Sequence, residues 1–324
     1  MKTGGFNLKR CCLSVLTMLL LAAFLAQGCQ PAKKPETTNR EMRYESEPAI
    51  SLYDNETGQK KQIKLEEYLV GVVAAEMEPS WPINALAAQA ILARTFTMEN
   101  IKSGRVRKLH GTDVSTSVEE SQAYDPSRIT ENVRQAVQKT RGEVITHNGR
   151  YIKAWFSASN GGKTAGAAEG LAYLKTPTPY IKANVNDPAS VENTLPEIRQ
   201  WTATIPGAKV REAVRSISGK DPGPLTSAAI AKKGPSGRTV KMKINNAVVG
   251  GPAFRLAAGS TEIRSMFLTN VAVQGGNLVL TGKGYGHGVG MSQWGAKNMA
   301  EQGTSPEDIV RFYFKDIRIE KLYE

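Results

Sequence analysis

The amino-acid sequence predicts an α+β fold, with mixed helices and antiparallel strands forming one body with a cleft. Apolar residues recur at three- and four-residue steps from Leu65 to Val73, which is the spacing of a helix with one buried face. The stretches Glu143 to Thr146 and Tyr151 to Phe156 flank a turn with an Asn-Gly pair, which indicates an antiparallel hairpin. With 324 residues, 40% of them hydrophobic, the chain can bury a substantial core.

The first segment is predicted to be a signal peptide that ends at a lipidated cysteine. Lys9 and Arg10 precede an apolar run of about 13 residues, and small residues lie just before Cys29, as in a bacterial lipobox. We therefore expect export and lipid anchoring through Cys29 on the outer face of the cytoplasmic membrane. The alternative is an uncleaved anchor, which is disfavoured because a spanning helix needs roughly 20 apolar residues.

Three regions follow from this pattern. Residues 1–28 are the predicted lipoprotein signal peptide, and residues 29–48 have the Pro-, Lys-, Glu- and Thr-rich composition of a flexible linker. Residues 49–324 are expected to form the functional body. The linker would hold that body away from the membrane.

Cysteine usage and charge exclude several classes of protein. All three cysteines lie at or before Cys29, so the body has no thiolate for catalysis or for zinc. Removing residues 1–28 takes away three basic residues and no acid, which leaves a net charge of +9. No nucleic-acid motif accompanies this basic surplus, so we expect anionic wall polymers and lipid head groups as partners, and no nucleic acid.

Glu76 is the conspicuous acid of the predicted helix. Continuing the apolar spacing from Leu65 to Val73 lands on Glu76, so its carboxyl group points inward. Lost hydration raises the pKa of a carboxyl group toward neutrality, which suits a general acid. The alternative is an ordinary solvated or ion-paired glutamate at a helix end. A second, Ala-rich helix is predicted from about Ile83 to Thr97.

The last strong signal is a Gly-rich segment from Gly282 to Gly303 that opens a helix at about Ser292. Glycines flank His287 on both sides and leave its ring little screened, so we expect His287 to lie in the cleft. Ser292 and Gln293 add hydroxyl and amide groups of the kind that bind sugar hydroxyls and N-acetyl groups. A nucleotide site is disfavoured because the segment has neither the P-loop Lys-Ser/Thr pair nor the G-x-G-x-x-G spacing.

The string EYLVGVVAAEMEPSWPINALAAQAILARTF closely resembles the signature of the SpoIID/LytB family of bacterial cell-wall proteins. The resemblance implies a lytic transglycosylase whose acid is Glu76 and whose Arg94 binds substrate. A structural ion pair from Arg94 to an acid is the equal alternative. By the same resemblance Gln122, Tyr124 and Lys182 contribute to the substrate cleft, although packing is the commoner role of a buried tyrosine.

Two departures from the family pattern are visible. Several members carry Cys and His zinc ligands in the segment that matches 110–124, and this chain has Ser115 and Ser121 at the Cys positions. A serine hydroxyl is a poor zinc ligand, so we predict no metal and no cofactor. Members often continue Asp-Pro-Trp-Asp where this chain has Asp187-Pro188-Ala189-Ser190, so the second acid is missing there.

Two functions remain open at this point. The first is a peptidoglycan lytic transglycosylase that cuts glycan strands to 1,6-anhydro ends in cell-wall remodelling or sporulation, and the resemblance suggests peptide-free strands. This reaction needs one carboxyl group, because the C6 hydroxyl of the sugar replaces water, whereas glycoside hydrolysis uses two. The second is a non-catalytic module that binds glycan and stimulates a cell-wall amidase.

Overall fold

A computed structural model describes residues 43–324 of the chain. The predicted signal peptide, most of the linker and Cys29 lie outside the described residues, so those expectations stay predictions. Tyr44 and Glu47, near the predicted end of the linker, already contact the body. The backbone NH of Tyr44 donates to Leu322 at 2.7 Å, and the Glu47 carboxylate accepts the Glu66 NH at 2.9 Å and an Arg141 hydrogen bond at 2.8 Å.

The first part of the body is a small sheet followed by two long helices. Strand β1 (Ala49–Tyr53) pairs antiparallel with β2 (Lys60–Lys64) and parallel with β3 (Val114–Ser115). Helix α1 spans Leu65–Glu76 and helix α2 spans Ile83–Ser103. The small side chains of α2 let α1 pack closely, and most of both helices is buried.

Shorter elements continue this first part of the fold. They are α3 (Arg105–His110), a 3-10 turn (Pro126–Arg128), α4 (Glu131–Lys139), β4 (Glu143–His147), β5 (Arg150–Tyr151), β6 (Phe156–Ser157), α5 (Ala167–Leu171), α6 (Ala189–Glu192) and α7 (Pro196–Arg199). Strands β4 and β5 form the hairpin that the sequence predicts, with Thr146 opposite Tyr151. The second predicted strand of the hairpin is shorter than expected, because residues 152–155 leave the sheet.

The segment from Trp201 to Gly282 builds a separate hydrophobic core. Its elements are β7 (Trp201–Ile205), α8 (Gly207–Ser218), β8 (Ala228–Lys233), β9 (Thr239–Ile244), β10 (Ala247–Gly250), α9 (Gly251–Ala258), β11 (Leu268–Gln274) and β12 (Asn277–Gly282). They form two three-stranded antiparallel sheets, in the orders β10-β9-β8 and β11-β12-β7. We call this segment the inserted lobe.

The chain then returns to the first core. Strand β13 (Met291–Ser292) pairs with β6, helix α10 spans Gln293–Glu301, helix α11 spans Pro306–Tyr313, and β14 (Arg318–Lys321) pairs antiparallel with β4. The main core therefore draws its side chains from both ends of the body, before and after the inserted lobe. The mixture of helices and antiparallel sheets confirms the predicted α+β class. Within residues 43–324, no helix has the length and apolarity to cross a bilayer.

Candidate functional site

Glu76 is the last residue of α1 and lies where three distant segments meet. Its side chain is half-buried, and Oε1 accepts the backbone NH of Ala123 at 2.9 Å. Burial raises the pKa of Glu76 to about 7, because water no longer stabilises the carboxylate and the Ala123 hydrogen bond offsets this only in part. The inward position follows the helical spacing of the sequence. A carboxyl group with this pKa can hold a proton near neutrality and release it.

Gln293 joins the closing Gly-rich segment to Glu76. Its side-chain Nε2 donates to the backbone carbonyl of Glu76 at 3.0 Å and to Oε1 of Gln89 at 3.4 Å. Gln293 is 7% exposed, so it fixes the end of α1 from the interior. Gln293 therefore positions Glu76, since its donors are used inside the protein, and its predicted contact with sugar stays a prediction.

The Ala123 amide is held in place by its neighbour Tyr124. The Tyr124 ring stacks on Tyr68 with centroids 5.5 Å apart and lies against Gly71, where a Cβ would come within 2.4 Å of the ring. The Asp125 NH donates to the Gly71 carbonyl at 3.2 Å. Gly71 thus lets the 122–125 segment approach α1 closely enough to place the Ala123 NH on Glu76. This contribution was not predicted, because a backbone donor leaves no side-chain signal in a sequence.

Arg94 does not line the cleft. It is fully buried and donates to both carboxylate oxygens of Glu66, with Nε to Oε1 at 2.9 Å and Nη2 to Oε2 at 2.6 Å. Burial raises the pKa of Glu66, but the Arg94 charge and hydrogen bonds outweigh it and leave the pKa below its usual value. This arrangement favours the structural alternative, with Glu66 as the acid, and the predicted contact of Arg94 with substrate stays a prediction.

Two other predicted site residues have structural contacts. Gln122 is buried and donates to the Ala93 carbonyl at 3.3 Å and to Thr97 Oγ1 at 3.0 Å, so it ties its loop to α2. Ser292 is fully buried and caps α10, because its hydroxyl accepts the Gly295 NH at 3.2 Å. Both side chains are thus engaged within the protein, and the predicted substrate contacts of Gln122 and Ser292 stay predictions.

Lys182 and His287 also find partners within the protein. Lys182 Nζ donates to the Arg311 carbonyl in the last turn of α11 at 2.7 Å. His287 Nδ1 accepts the Val289 NH at 3.0 Å, and its ring has a further hydrogen bond to the Phe156 backbone. Burial and then the nearby charges of the inserted lobe's arginines lower the pKa of His287 to about 3, so the ring is neutral at physiological pH. A neutral ring with both nitrogens engaged does not stabilise negative charge.

Asp187 is the acid that remains where the family's second acid is missing. It is 5% exposed, and its Oδ2 accepts hydrogen bonds from Asn160 at 2.8 Å and from the Tyr313 hydroxyl at 2.7 Å. Burial raises the pKa of Asp187, although these hydrogen bonds oppose the rise. The carboxylate packs against α10 at Gly295, where a Cβ would lie 2.5 Å from Oδ2. Asp187 therefore supports the helix whose first residue is Gln293.

The residues at the family's zinc positions do not fit a zinc ion. Ser121 Oγ accepts the Ser115 NH at 3.0 Å, and His110 Nε2 lies 2.9 Å from a Glu120 carboxylate oxygen. The two hydroxyls supply no thiolate, and the imidazole is held by a carboxylate. Within the described part of the chain, no group of three or more His, Cys, Asp or Glu residues is placed to hold a metal.

A half-buried acid whose pKa is near neutrality, fixed from both sides by other segments, is typical of an enzyme that transfers protons. A model of the family described as SpoIID, stage II sporulation protein, matches residues 53–147. Stage II sporulation protein D of Bacillus subtilis (strain 168) is 30% identical over 305 residues, which cover 88% of this chain and 83% of that protein. The chain therefore belongs to the SpoIID family, as its signature predicts.

Two further relatives extend the comparison. An uncharacterized protein of Brachyspira hyodysenteriae is 31% identical over 259 residues, or 80% of this chain and 67% of that protein. A Bacillus subtilis protein named amidase enhancer is 30% identical over 293 residues, or 76% of this chain and 39% of that protein. The family thus includes proteins named for sporulation and a protein named for stimulating an amidase.

Proposed function

We propose that this protein is a peptidoglycan lytic transglycosylase that acts on glycan strands, peptide-free ones by preference, in cell-wall remodelling or sporulation. The observation that carries the proposal is the Glu76 carboxyl group, whose pKa is about 7. A general acid works best when its pKa is near the working pH. The relatives named for sporulation and for an amidase connect the family to the cell wall.

The contacts of Glu76 suggest which oxygen carries the proton. Oε1 accepts the Ala123 NH, so the proton belongs on Oε2. Glu76 donates that proton to the bridging oxygen as the bond from this oxygen to the anomeric carbon breaks. The ionised Glu76 then takes the proton of the sugar's own C6 hydroxyl, whose oxygen bonds to the anomeric carbon. The first proton stays on the leaving hydroxyl group, the C6 hydroxyl proton restores Glu76, and no water is consumed.

A single-acid mechanism agrees with the position of the other acid described above. Asp187 is buried and uses its Oδ2 for Asn160 and Tyr313, so it is poorly placed to activate water. Hydrolysis by the usual route requires a second carboxylate that attacks or activates water opposite the acid. The transglycosylase reaction does not, because the attacking hydroxyl belongs to the substrate.

The test compares two substitutions in α1. Glu76→Gln keeps the size of the side chain and removes the transferable proton, so formation of 1,6-anhydro ends on purified glycan strands should fall by roughly 100- to 10,000-fold. Glu67→Gln is the matched control, because Glu67 is exposed on the same helix and pairs with Arg134 at the surface. Equal product from Glu76→Gln and wild type would contradict the proposal.

The second candidate is a non-catalytic glycan-binding enhancer of an N-acetylmuramoyl-L-alanine amidase. The relative named amidase enhancer and the Ala189-Ser190 departure favour it. Such a module would yield no anhydro ends from any strand, yet it would raise the rate at which an added amidase releases peptides. Glu76→Gln would leave that stimulation unchanged.

A further inference from the structure

Two tryptophans lie on two separate segments that each adjoin Glu76. Trp81 lies in the loop between α1 and α2, and Trp294 follows Gln293, whose side chain bonds the Glu76 carbonyl. The two indole rings meet edge to face, with centroids 4.8 Å apart and planes at 63°. Both side chains are only half-buried. The pair therefore presents aromatic surface to solvent close to the proposed acid.

The backbone on both sides of the pair is held firmly. The Trp294 NH donates to the Ala158 carbonyl at 3.0 Å, and the Trp81 NH donates to the Glu78 carbonyl at 3.0 Å. Asn132 Nδ2 donates to the Trp81 carbonyl at 2.9 Å. Rings on a fixed backbone lose little freedom when a ligand binds, which favours affinity.

An open groove runs along the same loop. It has a volume of about 470 Å³ and a lining that combines apolar surface with polar groups, formed by Glu78, Pro79, Ser80, Arg128, Thr130 and Asn132. Arg128 also donates to the Ala75 carbonyl at 3.2 Å, one residue before Glu76. The groove and the aromatic pair thus share the loop that follows the acid.

Surface of this kind fits a sugar ring. A pyranose has C–H faces that pack on an aromatic ring or other apolar surface, and hydroxyl edges that bond polar groups, so it matches a surface of this mixed character. Lys297 Nζ lies over the Trp294 ring at 5.5 Å and also pairs with Glu301 on the surface. Because exposed pairs of this kind contribute little stability, Lys297 can move aside for a ligand at small cost.

We infer that Trp81 and Trp294 form a sugar-binding subsite that holds an N-acetylhexosamine ring of the glycan strand next to Glu76. The inference rests on the proposed function for the identity of the strand. The two tryptophans are binding residues of this subsite, and they place the scissile bond within reach of the acid.

The experiment measures binding of purified peptide-free glycan strands by calorimetry, in the Glu76→Gln background so that no strand is cut. Trp81→Ala and Trp294→Ala should each raise Kd about fivefold or more, and the Phe variants should lose less, because an aromatic face remains. Trp155→Ala is the matched control. Trp155 is also half-buried and meets Tyr173 edge to face at 5.0 Å, and it should leave Kd unchanged.

A second measurement keeps both tryptophans, so it does not depend on whether the Ala variants fold. The chain has four tryptophans, so replacing Trp155 and Trp201 with Phe leaves Trp81 and Trp294 as the only sources of tryptophan fluorescence. Saturating strands should change the emission of that protein. Unchanged emission, or folded Ala variants with the Kd of the background protein, would overturn the inference.

The outcomes separate the subsite from the reaction. Loss of binding in the Ala variants with no anhydro ends from wild type would keep the subsite and contradict the transglycosylase. Anhydro ends from wild type together with an unchanged Kd in the Ala variants would support the transglycosylase and contradict the subsite.

Discussion

Gln293 donates its side-chain amide to the backbone carbonyl of Glu76 at 3.0 Å, although 217 positions separate the two residues. The contact joins the start of α10 to the end of α1. It makes the closing Gly-rich segment part of the proposed catalytic centre through support of the acid and not through contact with sugar.

Gln293→Met should therefore lower kcat more than it changes KM. The substitution keeps the volume of the side chain and removes the donor, so the end of α1 and its carboxyl group lose their orientation. We expect a decrease in kcat of roughly 10- to 100-fold, as for small misplacements of a reacting group. We also expect a shift in the pH profile, which loss of stability alone would not produce.

The control for Gln293 is Gln302→Met at the other end of α10. Gln302 is exposed and donates to Asn298 Oδ1 at 2.9 Å, away from Glu76. It should leave kcat and the pH profile unchanged. Equal behaviour of the two variants would mean that the Gln293 contact is structural only.

The raised pKa of Glu76 predicts how stability depends on pH. The unfolded chain releases the Glu76 proton near pH 4.5 and the folded chain near pH 7, so the free energy of unfolding falls as pH rises between these values. At pH 8 the ionised Glu76 lowers the free energy of unfolding by about 3 kcal/mol. The Glu76→Gln protein has no carboxyl group to ionise at this position, so it does not lose this stability. It should therefore melt several degrees above wild type at pH 8.

At pH 4 the two proteins should melt at the same temperature, because both side chains are then uncharged. His287, whose pKa is lowered to about 3, destabilises both proteins equally as pH falls below about 6.5 and cancels in the difference. The measurement is the difference in Tm across the pH range by calorimetry. A difference that does not grow with pH would mean that Glu76 has an ordinary pKa.

Arg94→Met should unfold or strongly destabilise the protein without a specific effect on glycan. It leaves Glu66 as a charge in the interior, and breaking a buried pair in this way costs about 3–5 kcal/mol. Combining it with Glu66→Gln should recover part of the loss. Denaturant unfolding measures the stability, and calorimetry with glycan strands measures Kd. A stable Arg94→Met protein with weakened binding would restore a substrate role for Arg94.

Cys29→Ala tests the predicted lipid anchor. In a bacterial host the wild-type protein should fractionate with membranes, and the variant should lose this association because no thiol remains for the lipid. Mass spectrometry of the mature N-terminus would show the acylated Cys29 directly. Continued membrane association of Cys29→Ala would favour the uncleaved anchor.

Features that depend on neighbours in the chain could be predicted from the sequence, whereas contacts between distant segments could not. Helical periodicity was enough to predict that Glu76 points inward, and an Asn-Gly turn was enough for the hairpin of β4 and β5, because these features depend on neighbours in the chain. The partner of Arg94 was not predicted, because Glu66 lies on another helix and only the packed structure brings the two together.

The positions of other residues around the site could not be predicted for the same reason. Gln122 and Ser292 belong to motifs that resemble a sugar-binding family, but a motif does not reveal whether a polar side chain faces the cleft or the interior. The Ala123 amide and the Trp81–Trp294 pair depend on segments that meet only in the folded chain. Contacts of this kind cannot be read from spacing.

The most direct test of the central claim is to cut glycan strands in water labelled with heavy oxygen and to analyse the new ends by mass spectrometry. The single-acid mechanism joins the C6 oxygen of the sugar to its anomeric carbon, so it predicts 1,6-anhydro ends that carry no label. Those ends should be lost in Glu76→Gln and kept in Glu67→Gln. Reducing ends that carry the heavy oxygen would show that water attacks the anomeric carbon, and they would contradict the account.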